Sequence, residues 1–103
     1  MKYVFLIRIK EGHTQEEYAE AWKCASAVIQ RMPGARGTRL HRAIGDPRTL
    51  LAIAEWDSKE ARDEAMAHLK QDPETREAIG RHLRIGDFSP VGEFDEADWS
   101  VIS

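Results

Sequence analysis

His41 and Arg39 stand two residues apart in a segment, Ala35 to Ile44, whose side chains alternate, so a strand would present both on one face. A histidine so placed could carry a proton near neutral pH, and a neighbouring arginine could hold a developing oxyanion with fixed donors. That pair is the first candidate for a catalytic site. Trp56 could supply an apolar wall, and His68 and His82 are further candidates to contact a substrate. Each position has a plainer reading too. Arg39 and His41 also suit a solvated strand face, and Trp56 suits core or interface packing.

Other constellations carry less. His68 and His82 are fourteen residues apart, without the short spacings that bring ligands onto one strand or helix face, so no metal site is expected. His13 precedes a helix cap and reads as a loop residue. Ser26, Ser58 and Ser89 fall in a helix, at a cap and in a broken strand, and none forms a strained nucleophile elbow. No glycine-rich phosphate loop or dinucleotide fingerprint is present, so no cofactor is expected. Cys24, the single cysteine, has no internal partner and reads as a packed, inert thiol in a reduced compartment.

The elements that must position these residues follow from periodicity. Lys2 to Lys10 is a strand, with Tyr3, Phe5, Ile7 and Ile9 on one face and Val4 and Leu6 on the other. Thr14 and Glu17 have capping-box spacing, and Tyr18, Ala21, Trp22, Ala25, Val28, Ile29 and Met32 recur at helical steps until Pro33-Gly34. Ala35 to Ile44 and Leu50 to Trp56 pair as a hairpin across Gly45-Asp46-Pro47-Arg48. Asp57 or Ser58 caps a second helix carrying Ala61, Ala65 and Leu69, which Asp72-Pro73-Glu74 restarts. Leu83 to Phe94, interrupted by Gly86, Pro90 and Gly92, is a last, irregular strand.

The order strand, helix, strand, strand, helix, strand predicts an α+β, ferredoxin-like fold, with two helices on one face of a four-stranded antiparallel sheet. A chain of 103 residues has room for one domain, here residues 1–95, followed by an acidic tail at 96–103. Two helices cover only one sheet face. The first and third strands are apolar on both, through Val4, Leu6, Leu51 and Ile53, and so large a bare patch is rare on monomers. A homodimer is therefore expected, sheet against sheet, and a large apolar cavity would need that partner.

Composition narrows the partners. Hydrophobic residues at 42% and charged residues at 32% describe a soluble globular domain, not a disordered chain. Fifteen Lys and Arg against 18 Asp and Glu give a net charge of −3, which offers no basic surface for nucleic acid. The run Tyr3 to Ile7 is too short for a signal-peptide core or a membrane span, so a cytoplasmic protein without a membrane partner is expected.

Several of these segments carry a family resemblance. Pro33-Gly34-Ala35-Arg36-Gly37, Gly45-Asp46-Pro47, the strand ending in Glu55-Trp56, and Asp57-Ser58-Lys59-Glu60-Ala61 resemble the antibiotic biosynthesis monooxygenase-like family of the dimeric α+β barrel superfamily. The resemblance spans about residues 1–95. It implies a pocket within each subunit of a dimer and chemistry drawn from cofactor-free oxygenases, heme-degrading oxygenases, isomerases or dehydratases. Trp56 matches the aromatic residue near the cleft in the quinone-forming oxygenases. Six residues on, this chain has Arg62 where those relatives usually have an aromatic, and nine residues on it has Ala65 where many have histidine, with His68 following. The chain contains no asparagine, which excludes the heme-degrading constellation and weakens the quinone-forming one.

The leading expectation is thus a pocket for a small aromatic or polyketide-like molecule, oxidised with O₂ by a cofactor-independent monooxygenase. Such an enzyme needs a dry cavity, a base and a donor for the developing oxyanion. The alternatives are a non-catalytic module that holds a small hydrophobic ligand, and an isomerase or lyase with His41 as proton carrier.

Overall fold

Alternating apolar residues at the start of the chain form β1 (Lys2–Ile9), whose odd-numbered side chains Phe5, Ile7 and Ile9 are buried. The computed structural model describes residues 1–103. Thr14 then caps α1 (Gln15–Ile29). Its hydroxyl accepts the Glu17 N–H at 3.1 Å, while the Glu17 carboxylate accepts the Thr14 N–H at 3.2 Å. The helix buries Tyr18, Ala21, Ala25 and Val28 at helical spacing. Gly34, at φ 88°, turns the chain into β2 (Ala35–Ala43), and a Cβ there would lie 2.7 Å from that of Ala61.

β2 joins β3 (Asp46–Trp56) through Ile44-Gly45, so the turn lies one residue earlier than the sequence signal, and Asp46 and Pro47 already belong to β3. The helical segment that follows is two helices. Ser58 caps α2 (Lys59–Leu69) by accepting the Ala61 N–H at 3.0 Å. Asp72 caps α3 (Pro73–Leu83). Asp72 is extended, at φ −95° and ψ 117°, because the proline ring after it disfavours the helical conformation. Leu83 ends α3, and the last strand, β4 (Gly86–Phe94), begins at Gly86.

The four strands form one antiparallel sheet in the order β2-β3-β1-β4. The three helices cover one face, and α1 packs against α3. The core between the layers is Phe5, Ile7, Ile9, Tyr18, Leu50 and Ala52, continued by Met1, Trp56 and Ala65. Gly86 lies against it so closely that a Cβ would sit 2.7 Å from Ile7 and 2.9 Å from Tyr18. The βαββαβ architecture and ferredoxin-like class are those expected.

The opposite face is bare in the single chain. Leu6, Val91 and Phe94 are 42%, 54% and 47% exposed, and Val4, Leu51 and Ile53 lie half-buried among them. One local reading needs correction. Cys24 is exposed on α1, with the Arg81 guanidinium 3.9 Å from its sulfur, because it falls between the buried positions Ala21 and Ala25. The tail from Asp95 lies exposed, including Trp99, Val101 and Ile102. No helix is long and apolar enough to cross a membrane.

Candidate functional site

Between the helices and the sheet lies an apolar cavity of about 280 Å³, lined by residues of one chain and partly open to solvent. Its sheet wall comes from Tyr3 and Phe5 of β1, Ala54 and Trp56 of β3, and Phe88 of β4. Phe5 and Phe88 stack at 4.6 Å between ring centres, in tilted geometry. The helical wall comes from Trp22, Ala25 and Ile29 of α1, Arg62 and Met66 of α2, and Ile79, His82 and Leu83 of α3. Trp56 is 2% exposed, and its backbone N–H donates to the Met1 carbonyl at 2.9 Å.

The polar groups in this wall are few. The Gln30 carboxamide is already engaged, accepting the Gly37 N–H at 2.8 Å. His82 is different. It is 8% exposed, and its Nδ1 is buried without a hydrogen-bond partner. Burial lowers its pKa below the ordinary histidine value, with the Ala78 and Ile79 carbonyls opposing more weakly, so the ring is held neutral. It meets the Tyr18 ring edge to face at 5.6 Å. The Tyr18 hydroxyl is likewise buried and unpartnered, and burial raises its pKa, keeping it protonated.

Arg62 is the third polar group here without full satisfaction. Its guanidinium carbon sits 4.0 Å over the Tyr3 ring, and its Nη1 donates to Glu93 at 3.3 Å and Asp63 at 3.4 Å. The Nε is buried and has no partner. Burial raises the Tyr3 pKa, and the Arg62 charge opposes that shift. A neutral imidazole and a fixed cation thus share an apolar cavity, an arrangement able to accept a proton and steady a negative oxygen.

Of the candidates read from sequence, Trp56 and His82 line this cavity. Arg39, His41 and His68 do not. Arg39 and His41 pair with Ile53 and Leu51, which lie beside Val4 and Leu6, so both side chains belong to the sheet face away from the helices. The helix-facing residues of β2 are the alternate set, and it is Thr38 that reaches the cavity. His68 is exposed on α2, near Met32, Pro33 and Glu64 in a separate groove. Sequence reasoning alone misses Arg62 as a site residue. Its signal was positional, since it precedes Ala65 by three and Leu69 by seven, on the buried stripe of α2.

The model of the antibiotic biosynthesis monooxygenase family matches residues 2–80. A comparison with curated proteins gives no match. Among solved structures, the chain is similar to SnoaB, a cofactor-independent oxygenase from Streptomyces nogalater, with 15% identity and a TM-score of 0.67 over 95% of this chain and 98% of that one. A single-residue mutant of SnoaB gives 20% identity and a TM-score of 0.75 over 99% and 98% of the two chains. At3g17210 from Arabidopsis thaliana gives 19% identity and a TM-score of 0.67 over 93% and 97%. At these identities the likeness establishes the fold.

Proposed function

Because this chain belongs to the antibiotic biosynthesis monooxygenase family, we propose that its cavity binds a small aromatic or polyketide-like molecule and oxidises it with O₂, without a tightly bound cofactor. The observation that carries this reading is the apolar cavity of about 280 Å³ with a buried, neutral imidazole in its wall. His82 takes a proton from an acidic ring position, leaving an electron-rich carbanion or enolate that passes an electron to O₂. In the monooxygenase reaction one oxygen atom enters the ring as a carbonyl and the other leaves as water, so a ring CH₂ and O₂ become C=O and H₂O. Trp56 and its aromatic neighbours keep water from the anion. Arg39 and His41 have no part in this reading.

The bare sheet face supports a homodimer built by apposing Leu6, Leu51, Ile53 and Val91 from two copies. Each copy keeps its own cavity on the far side of its sheet. The cytoplasmic setting expected from the sequence belongs to the same proposal.

Oxygen uptake with a panel of dihydroxy-aromatic substrates tests the reaction. Uptake is expected in the native protein and is lost in Met66→Trp, which fills the cavity, and reduced about a hundredfold or more in His82→Phe, which removes the base. Binding of the panel with no oxygen uptake would leave a ligand-binding module and sink the oxygenase.

A further inference from the structure

Arg62 enters the cavity wall from the first half of α2 with its planar group already constrained on two sides. The Tyr3 ring holds one face at 4.0 Å, and Glu93 and Asp63 hold Nη1 at 3.3 and 3.4 Å. The remaining edge is the one formed by Nε and Nη2. Nε is buried with no partner, and Nη2 donates to no protein group. A guanidinium presents two parallel N–H bonds along that edge, at a spacing that matches the two oxygens of a carboxylate. Leaving the buried Nε–H unpaired beside apolar side chains is unfavourable, so an incoming planar anion that takes it together with the accessible Nη2–H is the natural complement.

Resting on the reading of this cavity as a ligand site, we infer that Arg62 anchors an aromatic carboxylic acid, its carboxylate bound side-on by Nε–H and Nη2–H. The acid's ring system lies among Trp22, Trp56 and Phe88. Glu93 and Asp63 repel an anion from the Nη1 end, which directs the carboxylate to the free edge. A neutral ester of the same shape offers one carbonyl acceptor but neither the charge nor the paired oxygens that match the fork, so discrimination resides in the carboxylate. Arg62 is on this view a specificity-determining residue.

Calorimetric titration with a naphthalene carboxylate and with its methyl ester tests the inference without requiring turnover. The carboxylate is expected to bind the native protein about tenfold or more tightly than the ester, and Arg62→Gln brings the two within about twofold. Arg62→Lys keeps the charge but loses the fork, and is expected to retain only part of the preference. Equal affinities in the native protein overturn the anchor and leave the cavity reading standing, whatever the variants do. A preference that survives in folded Arg62→Gln overturns it also. Binding of neither probe overturns both readings.

Discussion

Glu93 of β4 and Arg62 of α2 pair at 3.3 Å because β4 carries one residue more than its partner strand requires. Phe5 pairs with Pro90 and Val4 with Gly92, so Val91 is the extra residue of a bulge. Before the bulge, Phe88 and Pro90 point toward the helices. After it the phase is reversed, and Glu93 faces Arg62 while Phe94 joins Lys2 on the bare face. A regular strand would have placed Phe94 beside α2 and left Arg62 without this carboxylate. Glu93→Gln keeps an acceptor for Nη1 and removes a negative charge near the proposed anion. The naphthalene carboxylate is expected to bind this variant about two- to fivefold more tightly, by titration, and weaker binding would contradict the anchor.

The buried imidazole of His82 makes stability depend on pH in a defined direction. Its pKa is lower in the folded protein than unfolded, so below the ordinary value near 6.5 the unfolded chain takes up the proton more readily. Stability contributed by the neutral ring is complete above that value and is lost as pH falls through it, until the folded pKa is reached. Urea midpoints are expected to fall between about pH 7.5 and 5.5 in the native protein, and to fall less in His82→Phe. Identical slopes in the two proteins would show that the ring does not titrate as its burial requires.

Leu6 lies on the bare face between Leu51 and Ser89, at the centre of the surface proposed to join two copies. Light scattering is expected to give twice the chain mass for the native protein. Leu6→Lys, with a charge at that centre, is expected to shift it to the single-chain mass while the circular dichroism spectrum is unchanged. A native protein of single-chain mass at micromolar concentration is incompatible with the proposed dimer.

Gly86 is fixed by space, with no requirement for a left-handed backbone. Gly86→Ala places a methyl against Ile7 and Tyr18, and overpacking of this kind costs about 1–3 kcal/mol. The melting temperature is expected to fall by several degrees, at about 4–8 °C per kcal/mol for a domain of this size. An unchanged melting temperature would mean that the β4 backbone yields easily beside the core.

Much of the framework was legible in the sequence because it depends on local chemistry. The capping box at Thr14 and Glu17, the exit at Pro33-Gly34, the caps at Ser58 and Asp72, and the alternation in β1 and β3 are properties of residues a few positions apart. They set the element order. The wide apolar stripe of β1 and β3 likewise marked a second sheet face that the helices cannot cover. Trp56 and His82 were found as candidates by their residue types, and the fold brings them to one cavity.

The placement of Arg39 and His41 was beyond such reasoning. β2 mixes charged and uncharged residues on both of its faces, with Arg42 beside Leu40 on one and Arg39 beside Ala43 on the other, so alternation divides its residues into two sets without saying which set meets the helices. The β3 register decides that, by aligning Thr38 and Leu40 with Ala54 and Ala52. Arg62 depended on still more distant relations, since Tyr3, Asp63 and Glu93 come from three elements and together leave one guanidinium edge free. Periods of two and 3.6 residues are written into the chain by backbone geometry. Which donor remains unpaired after packing is a through-space outcome, and only the folded arrangement of all three elements determines it.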